Sequence, residues 1–450
     1  MKLKPIEIRI PSGVGKQLRE EVFRLGRNEH VVFSLVSSTE TTEKTLVLVK
    51  KTHTLHKEQY VETRFHGAMW RGSSTLHIIN EAIERKLGIF IFHAHEHRGK
   101  VGLSHDDLQS AQALLPSYQN LIPRRPHGSI VIGKEHAAGV VLLPDADVMV
   151  PISRLRWLDD AIVDWDDDTI KSLPNTFDRI YDRQVLLIGS KGQRFLKKSK
   201  IAVVGLSGGG SHIVQQAAHL GIGEIIGIDA DWVEEENRHR LIGGSRFDVL
   251  LKRKKTRVMS RLVTRINRNV RFTPVPYNVP DQVTLDQLKR ADIIVGCVDS
   301  LQTRSDLQEI SQRYLIPYVD IGLLIVPNQG SQFIGGNVLS LIPGKFCMWC
   351  IGYLSERKLS EETGGKPRSY FQGAPKQAQV VSFNGLLASA AMNEVLYLIT
   401  GYRPENDLAS IKKLDGNKGT LEDWDVNIRS NCAKCDLQVA AGDIVWSKLR

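Results

Sequence analysis

The sequence contains no apolar run of the roughly 18 residues that a membrane-spanning helix needs. Its first residues, MKLKPIEIRIPSG, alternate polar and apolar side chains and contain no apolar signal core. Internal repeats and low-complexity tracts are also missing. These absences favour a cytoplasmic protein of ordinary globular domains, with no membrane partner.

The sequence also lacks a basic stripe interleaved with aromatic residues, the pattern that favours nucleic-acid binding. Its net charge is nevertheless +10, with a pI of about 9.3. That charge suits phosphate ligands or an acidic protein partner. The length of 450 residues, with 42% hydrophobic and 24% charged residues, predicts two or three globular domains.

Cysteine is scarce, and four of the five cysteines form two C-x-x-C pairs: Cys347 with Cys350, and Cys432 with Cys435. Two such pairs in a cytoplasmic chain predict a four-thiolate zinc site. Because the pairs are far apart, the metal would hold the end of the chain against its domain. The fifth cysteine, Cys297, ends an apolar run and is predicted to be a small buried residue.

The apolar patterns divide the chain into two blocks. Residues 1–150 contain four strand-like runs (LVLVK, GIFIF, GSIVIG, GVVLL) and two stretches with helical spacing (KQLREEVFRLG, TLHIINEAIERKLG). Residues 151–176 are acidic and poor in strand signals, which predicts a linker with a short helix. From 177 to 450, apolar runs alternate with helix-like stretches, the pattern of a doubly wound, mostly parallel α/β sheet.

The stretch KIAVVGLSGGGSHIVQQAAHLGIGEIIGIDAD predicts a nucleotide-binding turn between a strand and a helix. Glycines let the backbone approach phosphates there, and the helix N-terminus offers free N–H groups. The next strand ends in Asp229, where an acid can bind ribose hydroxyls. Ser207 replaces the second glycine of the dinucleotide pattern G-x-G-x-x-G, so the loop alone leaves a dehydrogenase open. The loop glycines are Gly205, Gly208, Gly209 and Gly210.

The residues around this loop argue against a dehydrogenase. Tyr181-Asp-Arg183-Gln184 precedes the first strand, and the loop is followed by Asp229-Ala-Asp231, Asn237-Arg-His-Arg240, Lys255 and Cys297-Val-Asp299. With the two cysteine pairs, this order resembles the ThiF family of ubiquitin-activating-enzyme-like adenylyltransferases over about residues 177–440. The resemblance implies a Rossmann-like fold that binds ATP and Mg²⁺ and carries a structural Zn²⁺.

The resemblance also implies roles for individual residues. Asp229 would bind the ribose with Asp231 beside it, and Asp299 would bind magnesium. Arg183 would reach the ATP of the partner subunit in a homodimer. The residues implied to contact the ATP phosphates are Asn237, Arg240 and Lys255. Cations suit this chemistry because a carboxylate must attack the α-phosphate, and two anions repel each other.

One feature of many relatives is absent, a nucleophilic cysteine between the two zinc-binding pairs. Residues 351–431 contain no cysteine. We therefore expect the chain to stop at the acyl-adenylate, or to pass it directly to a thiol on a partner such as a conjugating enzyme.

A second candidate site lies in the first block, within IFHAHEHRGKVGLSHDD. His93 and His95 are two residues apart on a predicted strand, so both side chains point to the same side. Asp107, at a predicted helix start, would be a third metal ligand and leave the fourth zinc position open for water. Glu29, before the first core strand, is the predicted base for that water, with Glu40 as the alternative.

This pattern resembles the JAMM (MPN/JAB) metallo-isopeptidases over about residues 10–145: an upstream Glu, then H-x-H, then S-x-x-D. The spacer from His95 to Ser104 has one residue more than the family's usual seven, and Glu96 replaces the usual proline. Strict spacing would make Asp106 the third ligand, whereas the S-x-x-D relation favours Ser104 with Asp107. The resemblance implies an α/β domain with a catalytic Zn²⁺ at the two histidines.

Together the two resemblances predict a bacterial-type fusion with two activities. The second block would adenylate the C-terminal glycine carboxylate of a small ubiquitin-like or sulfur-carrier protein. The first would process or remove the same modifier by zinc-dependent isopeptide hydrolysis. Two alternatives stay open: activation of a sulfur carrier for cofactor biosynthesis, and a nucleotide-sensing scaffold with an inactive metal domain.

Overall fold

The computed structural model describes residues 4–24, 30–61, 68–95, 100–134, 136–144, 148–158, 162–165, 179–326, 332–363, 378–403, 410–425 and 427–444. The chain divides into two compact units. The first comprises Met1–Ser172, Arg313–Leu315 and Val439–Val445, and the second comprises Leu173–Gln312, Ile316–Gln438 and Trp446–Arg450. None of the described helices is long and apolar enough to cross a membrane.

The first unit is built on a mixed eight-stranded sheet in the order β1-β3-β2-β4-β5-β6-β7-β8, with β1 also pairing with β7. Its strands are β1 (Ile6–Ile10), β2 (Val32–Glu40), β3 (Thr45–Thr54), β4 (Gly88–Ala94), β5 (His127–Ile132), β6 (Ala137–Leu142), β7 (Met149–Leu158) and β8 (Ile162–Trp165). Its helices are α1 (Val14–Val22), α2 (Leu76–Arg85) and α3 (His105–Leu121). The four strands and two helices predicted for this block are all present.

Both faces of this sheet are covered, which explains why β4 is apolar along almost its whole length. Phe90 and Phe92 belong to the hydrophobic cluster that includes Leu18 of α1. Ile89 and Ile91 belong to a second cluster, with residues of α2 and α3 such as Leu115. Side chains alternate along a strand, so His93 and His95, at the next two odd-numbered positions, point toward the side of α2 and α3. Strand β4 therefore carries its histidines to the face on which α3 packs.

The predicted linker at residues 151–176 is wrong for its first part. β7 continues to Leu158 and pairs with β1 and β6, and β8 pairs with β7 in the same sheet. The remainder of that stretch, residues 166–178, lies outside the described residues. The predicted C-terminal boundary of the second block also changes, because residues 439–445 group with the first unit and not with the second.

The second unit is built on an eight-stranded sheet in the order β11-β10-β9-β12-β13-β14-β15-β16. Its strands are β9 (Lys200–Val204), β10 (Glu224–Ile228), β11 (Arg271–Val275), β12 (Ile293–Gly296), β13 (Tyr318–Val326), β14 (Phe333–Leu341), β15 (Ser410–Asp415) and β16 (Thr420–Asp423). Its helices are α4 (Asp182–Lys198), α5 (Gly208–Leu220), α6 (Arg246–Leu250), α7 (Lys255–Ile266), α8 (Gln282–Arg290), α9 (Leu301–Tyr314), α10 (Glu356–Thr363), α11 (Val381–Thr400) and α12 (Ala433–Gln438).

The five strands predicted from apolar runs form the parallel part of this sheet, β9 to β13, and confirm the Rossmann-like fold. β14, β15 and β16 extend it as antiparallel strands. The chain leaves β9 toward β10 on one side and returns as β12 on the other. In a parallel α/β sheet, ligands bind at such a switch point, beyond the carboxyl ends of the strands.

Candidate functional site

In the first unit, the end of β4 and the start of α3 bring three predicted metal ligands together. His93 Nε2 lies 3.2 Å from one carboxylate oxygen of Asp107, and His95 Nε2 lies 3.4 Å from the other. One ligand atom from each of the three side chains lies within 4.8 Å of the others. Asp106 is exposed on the neighbouring position of the helix. The geometry therefore selects Asp107 over Asp106 as the companion of the two histidines.

A capping box holds Asp107 in place. Its backbone N–H donates to Ser104 Oγ (3.1 Å), while the backbone N–H and hydroxyl of Ser104 both donate to Asp107 Oδ2 (2.7 Å each). Burial raises the pKa of Asp107, but His93 and then the Ser104 hydrogen bonds outweigh it and leave that pKa well below its usual value. The carboxylate is therefore ionised at neutral pH, as a metal ligand must be.

The surroundings of His93 also suit a metal ion. Its Nε2 is buried and has no hydrogen-bond partner of good geometry within the described ranges, although a carboxylate oxygen is 3.2 Å away. A buried ring nitrogen without a hydrogen bond is costly. Two imidazoles and a carboxylate around one point are a donor set that zinc accepts, with one position left over.

The two candidate bases for this site, Glu29 and Glu40, differ in their position along the chain relative to the histidines. Glu29 lies outside the described residues. Val32, the first residue of β2, pairs with Phe92, so the start of β2 lies at the same end of the sheet as His93. Glu40 ends β2 at the opposite end, where it contacts Lys4 (3.1 Å) and accepts a hydrogen bond from Thr45. Glu40 is therefore too far along the strand to serve His93 and His95.

In the second unit, a cavity of about 1050 Å³ lies at the switch point between β9 and β12. It collects most of the residues predicted to bind nucleotide, although they are spread over five segments of the chain. The predicted residues that line it are Gly205, Gly208, Gly209, Asp229, Asp231, Asn237, Arg240, Lys255 and Asp299. Gly210 and Arg183 do not line this cavity within one chain.

The backbone conformation and the close packing of the loop both require glycine, in addition to the space that a ligand needs. Gly205 has φ of +85°, a conformation that other residues rarely adopt. A Cβ on Gly210 would stand 1.8 Å from the carbonyl oxygen of Gly205, so Gly210 serves the turn itself. Ser207 Oγ is buried, lines the cavity and has no hydrogen-bond partner among the described atoms. A hydroxyl in that position suits a phosphate oxygen.

Asp229 connects the loop to the end of β10. Its carboxylate accepts the backbone N–H groups of Leu206 and Asp231, at 2.8 Å each. Burial raises the pKa of Asp229, and nearby Lys255 counteracts that rise. The Nζ of Lys255 lies 2.8 Å from Asp231 and 3.6 Å from Asp229. The buried lysine at the first turn of α7 thus carries its charge into the cavity between two acids.

The remaining predicted residues surround the same space. Asn237 is buried in a short turn, where its Oδ1 accepts the N–H of Glu234 (3.3 Å). Arg240 donates to the carbonyl of Glu236 (2.8 Å) and is half-buried. Asp299 follows β12 and is exposed to the cavity. These side chains offer a cation, an amide and an acid around one opening, a set that suits a nucleotide triphosphate with its metal ion.

The four paired cysteines form a compact cluster. The sulfur atoms of Cys347 and Cys350 are 3.5 Å apart, Cys347 and Cys432 are 3.8 Å apart, and Cys350 and Cys435 are 3.5 Å apart. These separations exceed a disulfide bond. Four thiolates at about 2.3 Å from a tetrahedral zinc ion would be about 3.8 Å from one another. The cluster therefore has the ligands and spacing of a structural zinc site.

The comparison with known proteins agrees with this geometry. Residues 181–436 match the model of the ThiF family, a range that begins at the Tyr181-Asp-Arg183-Gln184 motif and ends just after the last zinc-site cysteine. The chain belongs to the ThiF family.

Two curated relatives and one solved structure illustrate the similarity. The chain is 30% identical over 262 residues to the sulfur carrier protein ThiS adenylyltransferase of Escherichia coli K12, covering 57% of this chain and 94% of that protein. It is 27% identical over 174 residues to the SAMP-activating enzyme E1 of Haloferax volcanii, covering 38% and 60%. The crystal structure of E. coli MccB with ATP is 23% identical, covers 58% of this chain and 75% of that chain, and has a TM-score of 0.47.

Within this ThiF domain, two polar groups of the cavity wall have no role predicted from the sequence. Arg304 of α9 is buried against Asp320 (3.1 Å), whose carboxylate also accepts the hydroxyl of Tyr318 (2.6 Å). Asn384 of α11 reaches the cavity from far along the chain. Arg304 follows Asp299 in the ThiF-like order of residues, with no role predicted for it, whereas no local pattern marks Asn384.

Cys297 also differs from its prediction. It is half-buried rather than fully buried and lines the cavity. Burial raises the pKa of its thiol, the negative charge of Asp320 raises it further, and Arg304 acts in the other direction. A thiol with a raised pKa is a poor nucleophile.

Proposed function

We propose that the ThiF domain catalyses ATP-dependent adenylation of the C-terminal glycine carboxylate of a small ubiquitin-like or sulfur-carrier protein. One observation carries the proposal: the predicted phosphate, ribose and magnesium ligands converge on a single cavity at the switch point of the sheet. The names of the relatives support it, since they include adenylyltransferases of sulfur carriers and of molybdopterin synthase.

In the proposed reaction, a carboxylate oxygen of the carrier attacks the α-phosphorus of ATP. The bond from that phosphorus to its bridging oxygen breaks, and pyrophosphate leaves with the electron pair. Lys255 and Arg240 offset the charge that builds on the phosphates, and the N-terminus of α5 with Ser207 Oγ holds their oxygens. Asp299, with Asp231 opposite Lys255, would hold Mg²⁺, which neutralises the triphosphate when bound.

The experiment that tests this proposal has two steps. Mass spectrometry of the purified protein should reveal a co-purifying small protein that ends in glycine. That protein should then stimulate exchange of pyrophosphate into ATP. A carrier-independent ATP hydrolysis, or ATP binding without exchange, would favour the nucleotide-sensing scaffold instead.

We also propose that the first unit is a JAMM-type metallohydrolase that cleaves an amide bond after the carrier's terminal glycine. The convergence of His93, His95 and Asp107 supports it. A zinc ion bound there would lower the pKa of its water and make that water a nucleophile at neutral pH. Ser104 holds Asp107, and Glu29 is the proposed proton acceptor.

Cleavage of an extended carrier would test this second activity. A carrier with extra residues after its glycine should be shortened by the wild-type chain and left intact by a His95→Ala variant. Cleavage would expose the carboxylate that the ThiF domain adenylates. If the activated carrier is instead passed to a sulfurtransferase, the sulfur-transfer alternative is correct, whereas transfer to a conjugating-enzyme thiol supports protein modification.

A further inference from the structure

One wall of the ThiF-domain cavity combines apolar side chains with a buried asparagine. Beyond the loop and Asp229, it is lined by the apolar side chains of Ile321 and Leu323 from β13 and Leu387 from α11. Phosphates and ribose are polar, whereas adenine and the backbone of an extended peptide tail both bury apolar surface, so this wall suits either of them. Asn384 lies in this wall, one helical turn before Leu387.

The hydrogen bonds of Asn384 fix which way its amide points. The side chain is 6% exposed, and its Nδ2 donates to the carbonyl oxygen of Val380 (3.1 Å) and to Oε1 of Gln379 (3.2 Å). A carbonyl can only accept, so the nitrogen must face Val380. Both amide protons are thereby engaged, and the group that Asn384 has to offer a ligand is its acceptor, Oδ1.

Asn384 also lies directly against the nucleotide loop. A Cβ built on Gly208 would be 2.8 Å from Nδ2 of Asn384 and 3.0 Å from its Oδ1. Gly208 is the first residue of α5, whose free N–H groups are the proposed phosphate cradle. The acceptor is therefore placed beside the proposed phosphate cradle.

We infer that Asn384 is a positioning residue for the carrier tail, whose Oδ1 accepts the N–H of the terminal glycine; this inference rests on the proposed adenylation. An acceptor repels phosphate and carboxylate oxygens, so its ligand must be a donor. In the proposed ATP site, Asp229 takes the ribose hydroxyls, and the ribose separates the adenine amino group from the phosphates. The N–H of the terminal glycine is about 2.5 Å from its carboxylate carbon, so holding it aims the carboxylate at the α-phosphate.

A pair of synthetic ligands tests this contact on the full-length chain. One is a short peptide that ends in Gly-Gly. The other is the matching depsipeptide, in which an ester oxygen replaces the N–H of the terminal glycine and keeps the shape. Binding in the presence of a non-hydrolysable ATP analogue and ligand-dependent ATP–pyrophosphate exchange are measured for both, as KM and kcat separately.

We expect the wild-type chain to prefer the peptide over the depsipeptide by about 5- to 10-fold in kcat/KM, the value of one neutral hydrogen bond. Asn384→Ala should remove this preference while binding the ATP analogue as before. Asn384→Asp keeps an acceptor and should retain the preference, even if its charge slows exchange. Asn278→Ala, which changes another asparagine of the cavity lining, should leave the ratio unchanged.

The outcomes separate the inference from the proposed function. Equal activity of the wild-type chain with the two ligands overturns the role of Asn384, whatever the variants do. A preference that persists in Asn384→Ala also overturns it, and in both cases adenylation itself stands. A wild-type chain that binds the ATP analogue but neither binds nor activates the peptide overturns the inference and the adenylation proposal together.

Discussion

At the scale of single residues, substitution of Asp299 should affect catalysis without affecting folding. It follows β12, is exposed to the cavity and belongs to no buried cluster, so its removal leaves the sheet intact. We predict that Asp299→Ala lowers carrier-dependent pyrophosphate exchange at least about 100-fold, because the triphosphate charge loses its metal-binding acid. The melting temperature should stay near that of the wild type.

The matched control is Asp286→Ala, which removes a half-buried acid of α8 that lies outside the cavity lining. It should change neither exchange nor melting temperature. Near-normal exchange in a folded Asp299→Ala variant would remove Asp299 from the mechanism.

Cys297 is the cysteine to test for a covalent thioester between this chain and the carrier. It lies in the cavity, but burial and then the charge of Asp320 raise the pKa of its thiol, and the other four cysteines form the cluster that suits a zinc ion. We predict that Cys297→Ser leaves adenylation unchanged and that ATP with carrier forms no reducible adduct on the chain, as seen by mass spectrometry. A thiol-sensitive adduct that disappears only in Cys297→Ser would contradict this.

The sequence could identify most site residues because each belongs to a short pattern whose chemistry is local. His93, His95 and Asp107 are an example, since a strand and a helix cap fix their directions. Asn384 could not be identified, because its position depends on how α11 packs on α5 far along the chain. The choice between Asp106 and Asp107 likewise needed the capping box.

At the scale of elements, the N-terminus of α3 links a helix cap to the metal site. Ser104→Ala removes the acceptor for the Asp107 N–H and a donor to its carboxylate. We expect a loss of about 1 kcal/mol in stability from the cap. We also expect zinc affinity at the histidine site to fall about 10- to 100-fold, as for other groups that orient a ligand.

Chelator competition measures that affinity, and Ser110→Ala on the exposed face of the same helix is the control. If the two serine variants bind zinc equally well, the capping box has no part in holding Asp107 for the metal.

The two metal-binding elements should also differ in how firmly they hold zinc. The cysteine cluster joins two distant segments of the ThiF domain, so its metal contributes to folding, whereas the three-ligand site keeps an open position. We predict two zinc ions per chain, one removed readily by chelator without unfolding and one lost only with unfolding of the ThiF domain.

Elemental analysis of chelator-treated protein and of a His95→Ala variant measures this directly. The variant should retain one zinc ion and an intact fold. Fully active wild-type protein with at most one zinc ion per chain would show that the two-site assignment is wrong.

β7 is one element that the sequence failed to predict, and its charged residues explain why. β7 carries Arg154 and Arg156, which do not look like strand residues in a buried sheet. Their partners lie on neighbouring strands: Arg154 Nε donates to Asp164 (2.8 Å) and its Nη1 lies 3.4 Å from Glu7. Charges that are neutralised between strands remove the apolar signal on which strand prediction depends.

At the scale of the whole molecule, the sequence predicted two blocks but not that the chain returns to the first. Residues 439–444 belong to the first unit, where Ala440 accepts the hydroxyl of Ser37 (2.7 Å) and Val439 accepts the ammonium of Lys50 (2.9 Å). Both acceptors are backbone carbonyls, which every residue has. These two contacts therefore leave no side-chain pattern in the sequence, although Asp443 of the same segment also accepts hydrogen bonds from Thr39 and Tyr314.

The homodimer is a prediction about the whole molecule, because each subunit would complete the cavity of the other. Arg183 lies in the exposed first turn of α4 and does not reach the cavity of its own chain. Apolar side chains around it are unusually exposed: Ile180 by 63%, Leu186 by 80% and Leu187 by 64%. An exposed apolar patch of this kind is typical of a subunit interface. If Arg183 has the role that the ThiF resemblance implies, a two-fold axis would give each cavity the partner's Arg183.

Mixing two inactive variants tests this arrangement. Arg183→Ala and Asp299→Ala should each be nearly inactive alone. After exchange of subunits in an equal mixture, half of the dimers pair one variant with the other. Each such dimer holds one cavity with both an intact Asp299 and the partner's Arg183. Pyrophosphate exchange should therefore return to about a quarter of the wild-type rate per chain. A chain that sediments as a monomer and adenylates at full rate would rule out the shared site, because the arginine would then have to act within its own subunit.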